Sequence, residues 1–330
     1  MASESDKKII LLYVLDILKY YSDCNHVLTY ADIVAKLEML YGISPDVKSV
    51  ARNVDTLIDA GDIIEKVHKK GCYLAERDFD DAEVMYLVDA IYSSKSISSR
   101  EAKILIQKLI RGRNKYDVKK YKHIYKVDEV SRKRSAEMFK NIEVLDRAIE
   151  QGKKVAFQYN EYNAMKMFTP RADGKVFIMN PYFLVNNNGK YYLVCNYDKY
   201  DNLANYKVEN ISNIEILTDD VKPIKSLPNM ENFKQDAYIN EHIYMMAGES
   251  VDAVIKLNNK KAINDVIDWF GDKVRIKEAG EGIEVMLKVN EQALVYWALQ
   301  YGTSVEVLSP ESTREKIREQ LSLICNKYGV

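Results

Sequence analysis

The sequence predicts an α+β protein whose helices are concentrated in its first half and whose strands are concentrated in its second half. Up to Gln151, apolar residues recur every three or four positions, which is the period of an amphipathic helix. From Lys153 onward they alternate, as in Val155, Phe157 and Tyr159, which is the period of a half-buried strand. With 330 residues, of which 47% are hydrophobic, the chain is long enough for two or three domains with substantial cores.

Helices separated by a short turn are predicted near the N-terminus. Thr29 is expected to cap a helix from Tyr30 to Tyr41, whose apolar residues fall on one face. The sequence Ser44-Pro45-Asp46 then predicts a further helix, with Ser44 as the N-cap and Pro45 at the first helical position. This helix is expected to end at Ala60-Gly61.

Two short apolar runs follow, Ile63 to Val67 and Cys72 to Ala75, and the basic segment His68-Lys69-Lys70-Gly71 joins them. Such a pattern predicts a β-hairpin with a basic tip. Helix, tight turn, helix and hairpin in this order are the winged helix-turn-helix arrangement, a DNA-binding module.

The N-terminal half of the second helix of such a module lies in the major groove of DNA. Arg52 can pair with a guanine and Asn53 with an adenine through two hydrogen bonds each. Basic residues at the hairpin would contact phosphates, which position a protein without reading sequence. A solvated helix face and a hairpin tip that serves solubility are the alternatives. The DNA-binding candidates are Lys48, Ser49, Arg52, Asn53, Lys66, His68, Lys69 and Lys70.

Between residues 78 and 151 the sequence predicts a helical connector with helix starts at Asp80-Asp81 and Ser98-Ser99 and a third helix from about Val130 to Glu150. Its stretch from Arg100 to Arg134 is strongly basic and contains interleaved tyrosines, among them Tyr116. This pattern suits contact with a nucleic-acid backbone, and equally suits a solvated linker whose tyrosines pack between domains.

Residues 152–220 predict a small barrel or sandwich of short strands, with a hairpin turn at Asn187-Asn188-Gly189-Lys190. Aromatic rings in these strands could stack on a planar ligand, and a cation could hold a phosphate or carboxylate. Alternating tyrosines also serve as packing residues with a solvated hydroxyl. The effector-binding candidates are Tyr182, Tyr192, Tyr206, Lys207 and Arg171.

Residues 221–330 predict strands and helices in the order βαββαβ, followed by a final helix from Thr313 to Lys327. This order is the split, ferredoxin-like plan. The predicted domains are therefore residues 1–77, 78–151, 152–220 and 221–330.

Composition and motifs exclude several classes of protein. A net charge of -1 excludes global basicity as the means of holding nucleic acid. No apolar run approaches the roughly 20 residues needed to cross a bilayer, and Met1 to Lys8 is unlike a secretion signal, so we expect a cytoplasmic protein without a membrane partner. The four cysteines have no metal-binding spacing, and no catalytic motif is present. We therefore expect no enzyme, no cofactor, no metal ion and no catalytic residue.

Several segments resemble, in order and spacing, those of the WYL-domain transcriptional regulators, and the likeness covers nearly the whole chain. Ser49–Leu57 is similar to the recognition helix of that family, and Lys70–Leu74 to its wing. In Gly189–Val194, Tyr191 stands in place of the Trp of the Trp-Tyr-Leu triplet. The remaining similar segments are Asn180–Leu184, Tyr206–Ile211, Trp297–Gly302 and Val305–Pro310 with Arg314.

The resemblance implies a Sm-like β-barrel at residues 152–220, a ligand-sensing role for that barrel, and homodimerisation. It also implies a nucleotide or single-stranded nucleic acid as a possible effector. One departure weakens that implication: Lys207 matches a basic position of the family, but Asn210 stands where Arg is common.

Two functional hypotheses follow. The first is a homodimeric, sequence-specific regulator of transcription that binds double-stranded DNA and whose barrel senses an effector. The alternative is an accessory protein that binds single-stranded nucleic acid through the basic connector and the barrel.

Overall fold

The computed structural model describes residues 4–94, 97–110, 113–116, 135–279 and 282–329. The chain divides into two compact units, residues 1–133 and 134–330. The first unit is mostly helical and the second contains two larger sheets, so the chain is a mixed α and β protein with helices at its N-terminus.

The first unit consists of five helices and one antiparallel hairpin in its described part. One core, which includes Val14, Leu37, Val54 and Cys72, joins the first three helices to the hairpin. The elements are α1 (Glu4–Tyr21), α2 (Tyr30–Tyr41), α3 (Val47–Asp59), β1 (Ile64–Val67), β2 (Gly71–Leu74), α4 (Asp81–Ser93) and α5 (Ser99–Ile110).

Local caps define where these helices begin. The Thr29 side chain accepts a hydrogen bond from the Asp32 backbone N–H at 3.0 Å, and the Asp32 carboxylate accepts one from the Thr29 N–H, which confirms the predicted start of α2. The predicted N-cap of α3 was wrong by two residues. Asp46, not Ser44, accepts the Ser49 N–H at 2.7 Å, because its carboxylate lies three residues before that donor.

The second unit begins with α6 (Ser135–Glu150), which packs on the strands that follow it. Residues 130–134, where the sequence predicts its start, lie outside the described residues. Asn141 is buried on α6 and donates to the carbonyls of Val208 (3.3 Å) and Ile211 (2.8 Å). A helix that the sequence assigns to the connector thus belongs to the core of this unit.

Six strands form the first sheet, in which β3 pairs with β4, β5 and β8. The path then continues from β5 through β6 to β7. Among the described strands, β7 does not pair with β8, so the sheet is not closed and the predicted barrel is not confirmed. The turn Val208–Asn210 separates these two strands. The strands are β3 (Lys153–Tyr162), β4 (Phe168–Pro170), β5 (Val176–Asn187), β6 (Lys190–Asn196), β7 (Leu203–Lys207) and β8 (Ile211–Asp220).

The turn between β5 and β6 has the predicted form. Asn187 pairs with Lys190, while Asn188 (φ 50°) and Gly189 (φ 72°) both have positive φ. A two-residue hairpin turn with positive φ at both positions is the type that favours Asn-Gly, since these residues adopt that conformation at little cost.

The second sheet has the strand order β10-β11-β9-β12 and is antiparallel throughout. Trp297 and Phe270 lie in the core between this sheet and its helices. The order βαββαβ matches the sequence prediction, but the short helix α7 before it was missed. The elements are α7 (Gln235–Glu241), β9 (Ser250–Leu257), α8 (Ala262–Phe270), β10 (Arg275–Ala279), β11 (Gly282–Asn290), α9 (Glu291–Gln300), β12 (Val305–Ser309) and α10 (Glu311–Tyr328).

Candidate nucleic-acid and effector sites

The four DNA-binding candidates on α3 lie in its first two turns. Val50, Val54 and Leu57 of the same helix are buried, because a helix with one apolar stripe turns that stripe to the core, and Ser49 and Asn53 beside them are half-buried. Lys48 and Arg52 are exposed, one helical turn apart. Both side chains are therefore available to a ligand outside the protein.

Hydrogen bonds to the helix backbone hold two of these side chains in place. Arg52 donates from Nε to the Lys48 carbonyl at 3.3 Å, and Asn53 donates from Nδ2 to the Ser49 carbonyl at 2.8 Å. Among the described residues, no protein partner reaches the terminal nitrogens of Arg52 or the amide oxygen of Asn53. Arg52 thus retains the paired donors that recognise guanine.

The hairpin is fixed to the body of the first unit through Gly71. Its neighbour Cys72 exchanges two backbone hydrogen bonds with Leu28, at 2.8 and 3.0 Å. Gly71 has φ +120°, and a Cβ at this position would lie 2.0 Å from the Leu28 carbonyl oxygen. Only glycine allows the strand to approach this closely.

Three of the four candidates on the hairpin are exposed at its tip: His68, Lys69 and Lys70. The fourth, Lys66, forms an ion pair with Asp55 of α3, and that hydrogen bond raises the pKa of Lys66. The ammonium of Lys66 is therefore compensated by a carboxylate of the protein, whereas the tip carries the free positive charge.

Most of the basic connector lies outside the described residues, including Lys119 and Lys120. Within the described part, Arg113 is buried and donates to the Asp81 carboxylate at 2.5 Å. Tyr116 stacks on His26 with ring centroids 3.5 Å apart. Both residues thus have structural roles in the first unit.

The effector-candidate tyrosines lie in two packing environments. Tyr182 and Tyr192 are packed in an apolar cluster with Leu227 and Met245, which come from the segment after β8. Burial raises the pKa of both tyrosines, and the Tyr182 hydroxyl donates to the Lys222 carbonyl at 2.9 Å. These two tyrosines therefore act as packing residues in this structure.

Tyr206 packs against a different aromatic group. Its ring lies edge-on to Phe157 (5.5 Å between centroids) and Tyr159 (4.9 Å), and burial raises its pKa to about 12. Arg171 lies near enough for its positive charge to oppose this rise, and it forms an ion pair with Glu161 at 3.5 Å. The charge of Arg171 thus acts on both Tyr206 and Tyr159.

Tyr159 connects this group to Lys207, a role that the sequence did not single out. Its hydroxyl accepts hydrogen bonds from the Lys207 backbone N–H and from Asn210 Nδ2, both at 3.3 Å. Burial raises the pKa of Tyr159. The Lys207 side chain is half-buried and cross-strand from Tyr192. The position of Tyr159 in an alternating strand indicated burial, but not this contact.

Within the residues described, no group of histidine, cysteine or acidic side chains is arranged to hold a metal ion. No helix in the described ranges is both long and apolar enough to cross a membrane.

Comparison with solved structures gives distant similarities. Proteasome accessory factor B/C (PafBC) of Arthrobacter aurescens is 14% identical, with a TM-score of 0.28 over 98% of this chain and 49% of that one. This chain thus spans about half the length of that protein. A CRISPR Cas-related protein is 16% identical, with a TM-score of 0.38 over 98% and 86%. No curated protein matches the chain.

Two family models match the second unit. The WYL domain model matches residues 140–216, which comprise most of α6 and strands β3 to β7 with part of β8. The WCX domain model matches residues 249–324, which comprise the second sheet, α8, α9 and most of α10. The second unit therefore contains a WYL domain followed by a WCX domain.

Proposed function

We propose that this protein is a DNA-binding regulator of transcription, in which the first unit binds double-stranded DNA as a winged helix-turn-helix and the WYL domain senses an effector. One observation carries the proposal. The same compact unit has both an exposed arginine on α3, Arg52, and an exposed, basic hairpin tip. The order of a WYL and a WCX domain after such a module supports it.

The two groups of side chains would have different tasks. Arg52 and Asn53, held by their backbone hydrogen bonds, would read base edges in the major groove. Lys69 and Lys70 would contact phosphates and add affinity without sequence preference. Lys66 would contribute little, since Asp55 already neutralises it.

The effector would act by shifting the population of two arrangements of a homodimer, of which one presents its two DNA-binding units at the spacing of the half-sites. Tyr206, Arg171 and Lys207 are the residues that we assign to effector contact, with an anionic planar ligand as the expected class. Because Tyr182 and Tyr192 are packed in the core, we assign them a supporting role only.

Selection from a random duplex library, followed by affinity measurements on the selected and a scrambled duplex, tests the DNA-binding proposal. Arg52→Ala should weaken binding to the selected duplex by about 1–3 kcal/mol and reduce its preference over the scrambled one. The matched control is Arg147→Ala, which removes an exposed arginine from α6.

Lys69→Ala/Lys70→Ala should weaken binding to both duplexes equally. It should also reduce the slope of log affinity against log salt concentration by about two, since each lysine contacts one phosphate. Equal affinity of the parent protein for every duplex, or no effect of Arg52→Ala, would contradict sequence-specific recognition. A preference for single-stranded over duplex DNA would favour the alternative hypothesis of an accessory protein, for which Lys119→Glu/Lys120→Glu is the test variant.

A further inference from the structure

A cleft of about 790 Å³ lies in the second unit, between the loop before β7, helix α7 and the start of β9. Its volume is in the range of small-molecule sites. None of the five effector candidates is among the residues that line it. The lining side chains that carry the argument are Tyr200, Asn202, Phe233, Tyr238, His242 and Lys288.

His242 is a buried polar residue in the wall of this cleft, with only 3% of its surface exposed. Burial lowers its pKa and so favours the neutral imidazole, which has a single N–H. Nδ1 lies 2.8 Å from the Tyr238 carbonyl oxygen, which can only accept, so Nδ1 carries the proton.

Nε2 of the same ring therefore presents a lone pair. Its nearest polar neighbour is the Gly248 carbonyl oxygen at 3.4 Å, which is also an acceptor. Two acceptors form no hydrogen bond, and no donor reaches Nε2 among the described residues. Both His242 and Gly248 line the cleft, so this acceptor lies in the cleft wall. A buried acceptor without a donor is costly, and a ligand that supplies the donor removes that cost.

The surroundings of His242 define the shape and charge of such a ligand. Tyr238 stacks on the imidazole with centroids 3.9 Å apart, and Phe233 lies 5.8 Å from Tyr238, which makes one side of the cleft aromatic. Lys288 is paired with Glu241 at 3.4 Å. Asp201 faces Lys222 at 3.9 Å, and the remaining charged lining residues, Lys234 and Glu249, are opposite in sign, so the charges of the lining nearly balance.

We propose that this cleft binds a small, uncharged, planar aromatic molecule that donates an N–H to Nε2 of His242. The ring of the ligand lies against the aromatic side of the cleft, and its N–H satisfies the acceptor that the fold leaves open. The site is distinct from the cluster of Tyr206, Tyr159 and Phe157. Binding to it does not depend on the proposed DNA binding.

The cleft is also connected to the first sheet, which consists of β3 to β8. The Tyr238 hydroxyl donates to Asn205 Oδ1 at 3.1 Å, and Asn205 is the β7 residue directly before Tyr206. Asn205 Nδ2 in turn donates to the Met246 carbonyl at 3.5 Å. A molecule seated on Tyr238 is therefore one hydrogen bond away from the strand that carries Tyr206 and Lys207.

A pair of probes that differ only in the donor tests the proposal. Indole and 1-methylindole have the same ring system, but only indole has an N–H. Calorimetric titration of the full chain, without DNA, should show binding of indole at millimolar concentration or below. 1-Methylindole should bind about tenfold more weakly, since it leaves the acceptor unsatisfied.

Two variants assign the binding to this cleft. His242→Phe keeps a ring next to Tyr238 and removes the acceptor, so it should abolish the difference between the two probes. Ala237→Trp places a large side chain into the cleft from an exposed position on α7 and should abolish binding of both, even if His242→Phe fails to fold. Ala35→Trp, at an exposed position on α2, is the matched control and should leave binding unchanged.

No binding of either probe, equal affinity for the two, or unchanged binding in Ala237→Trp would overturn the proposal. Loss of DNA recognition in Arg52→Ala would leave this result untouched, so failure of one proposal can be told from failure of the other.

Discussion

The predicted DNA-binding site and the predicted effector site of this protein differ in how exposed their side chains are. On α3 and the hairpin, the charged candidates Lys48, Arg52 and Lys69 remain exposed. In the first sheet, the aromatic candidates Tyr182, Tyr192 and Tyr206 are about half-buried and packed against other side chains. The comparison shows that a pattern of charged residues indicates an exposed surface, whereas a pattern of tyrosines does not distinguish a binding site from a packed core.

The physical reason is the cost of desolvation. A charged group pays a large penalty for leaving water unless it is paired, so Lys and Arg opposite an apolar stripe stay outside. A tyrosine ring gains from burial, and its hydroxyl needs only one acceptor, which Tyr182 finds at the Lys222 carbonyl. An alternating tyrosine is therefore compatible with both a core and a pocket.

The largest effect on stability is expected from Phe157, which packs against the rings of Phe177 and Tyr206. Phe157→Ala should lower the free energy of unfolding of the second unit by about 3–5 kcal/mol, because Phe157 is fully buried against Tyr206. Urea denaturation followed by circular dichroism measures this. Arg52→Ala is the control from the other site and should change stability by less than about 0.5 kcal/mol. A loss below about 1 kcal/mol for Phe157→Ala would break the contrast.

A smaller loss is expected at the hairpin. Gly71→Ala combines a positive φ with a clash against the Leu28 carbonyl, and should cost about 1–3 kcal/mol. Gly61→Ala is the matched control, because Gly61 also has positive φ (106°) but open space around its Cα. The difference in melting temperature between the two variants isolates the clash. Equal losses would mean that the close approach of β2 to Leu28 has no energetic weight.

Thiol reactivity compares the local stability of the two regions. Cys24 and Cys325 are exposed and should react rapidly with a disulfide reagent, whereas Cys72 behind the hairpin and Cys195 in the sheet are buried. Burial raises the pKa of both buried thiols, that of Cys72 to about 11. Each should react only through local opening, and the faster one marks the less stable region. Four equally fast thiols would contradict the burial of either residue.

The raised pKa of Cys72 makes the folding stability depend on pH. In the unfolded chain the Cys72 thiol ionises near pH 8.5, well below its folded pKa of about 11. The unfolded state thus loses this proton first, so the contribution of Cys72 to folding stability is complete below about pH 8.5 and decreases as the pH rises toward 11. Denaturation at several pH values, with Cys72→Ala as the control, measures this.

The smallest effect is expected at the ion pair between α3 and the hairpin. Asp55→Asn removes the carboxylate that neutralises Lys66 and should change stability by less than about 1 kcal/mol, since the pair is exposed. It should strengthen DNA binding a few-fold, because it leaves one more positive charge for the phosphates. Fluorescence anisotropy with a labelled duplex measures this. Weaker binding in Asp55→Asn would show that the ion pair holds the hairpin in its binding orientation.

Much of the first unit could be predicted from local signals. The capping residues Thr29 and Asp80 fix where α2 and α4 begin, because a cap needs only a side chain within three residues of its donor. The start of α3 was misplaced because Ser44 and Asp46 both have capping side chains. Only the backbone path decides between them.

The second unit was predicted less completely. The hairpin turn at Asn188-Gly189 was identified, since it depends on two residues. Three features were not: the short helix α7, the packing of α6 on the sheet, and the open pairing between β7 and β8. The packing of α6, for example, depends on bonds from Asn141 to Val208 and Ile211, which lie 67 and 70 residues away and are contained in no short pattern.

The sequence by itself determined the order of helices and strands, the exposed basic residues of α3 and the hairpin tip, and the WYL and WCX domains. These follow from periodicity, caps and ordered motifs. Only the tertiary structure decided that Lys66 is neutralised by Asp55, that the candidate tyrosines separate into two groups, and that Nε2 of His242 is left without a donor at a cleft. Charge pairing, aromatic packing and unmet hydrogen bonds depend on distances in space, and residues far apart in the chain set those distances.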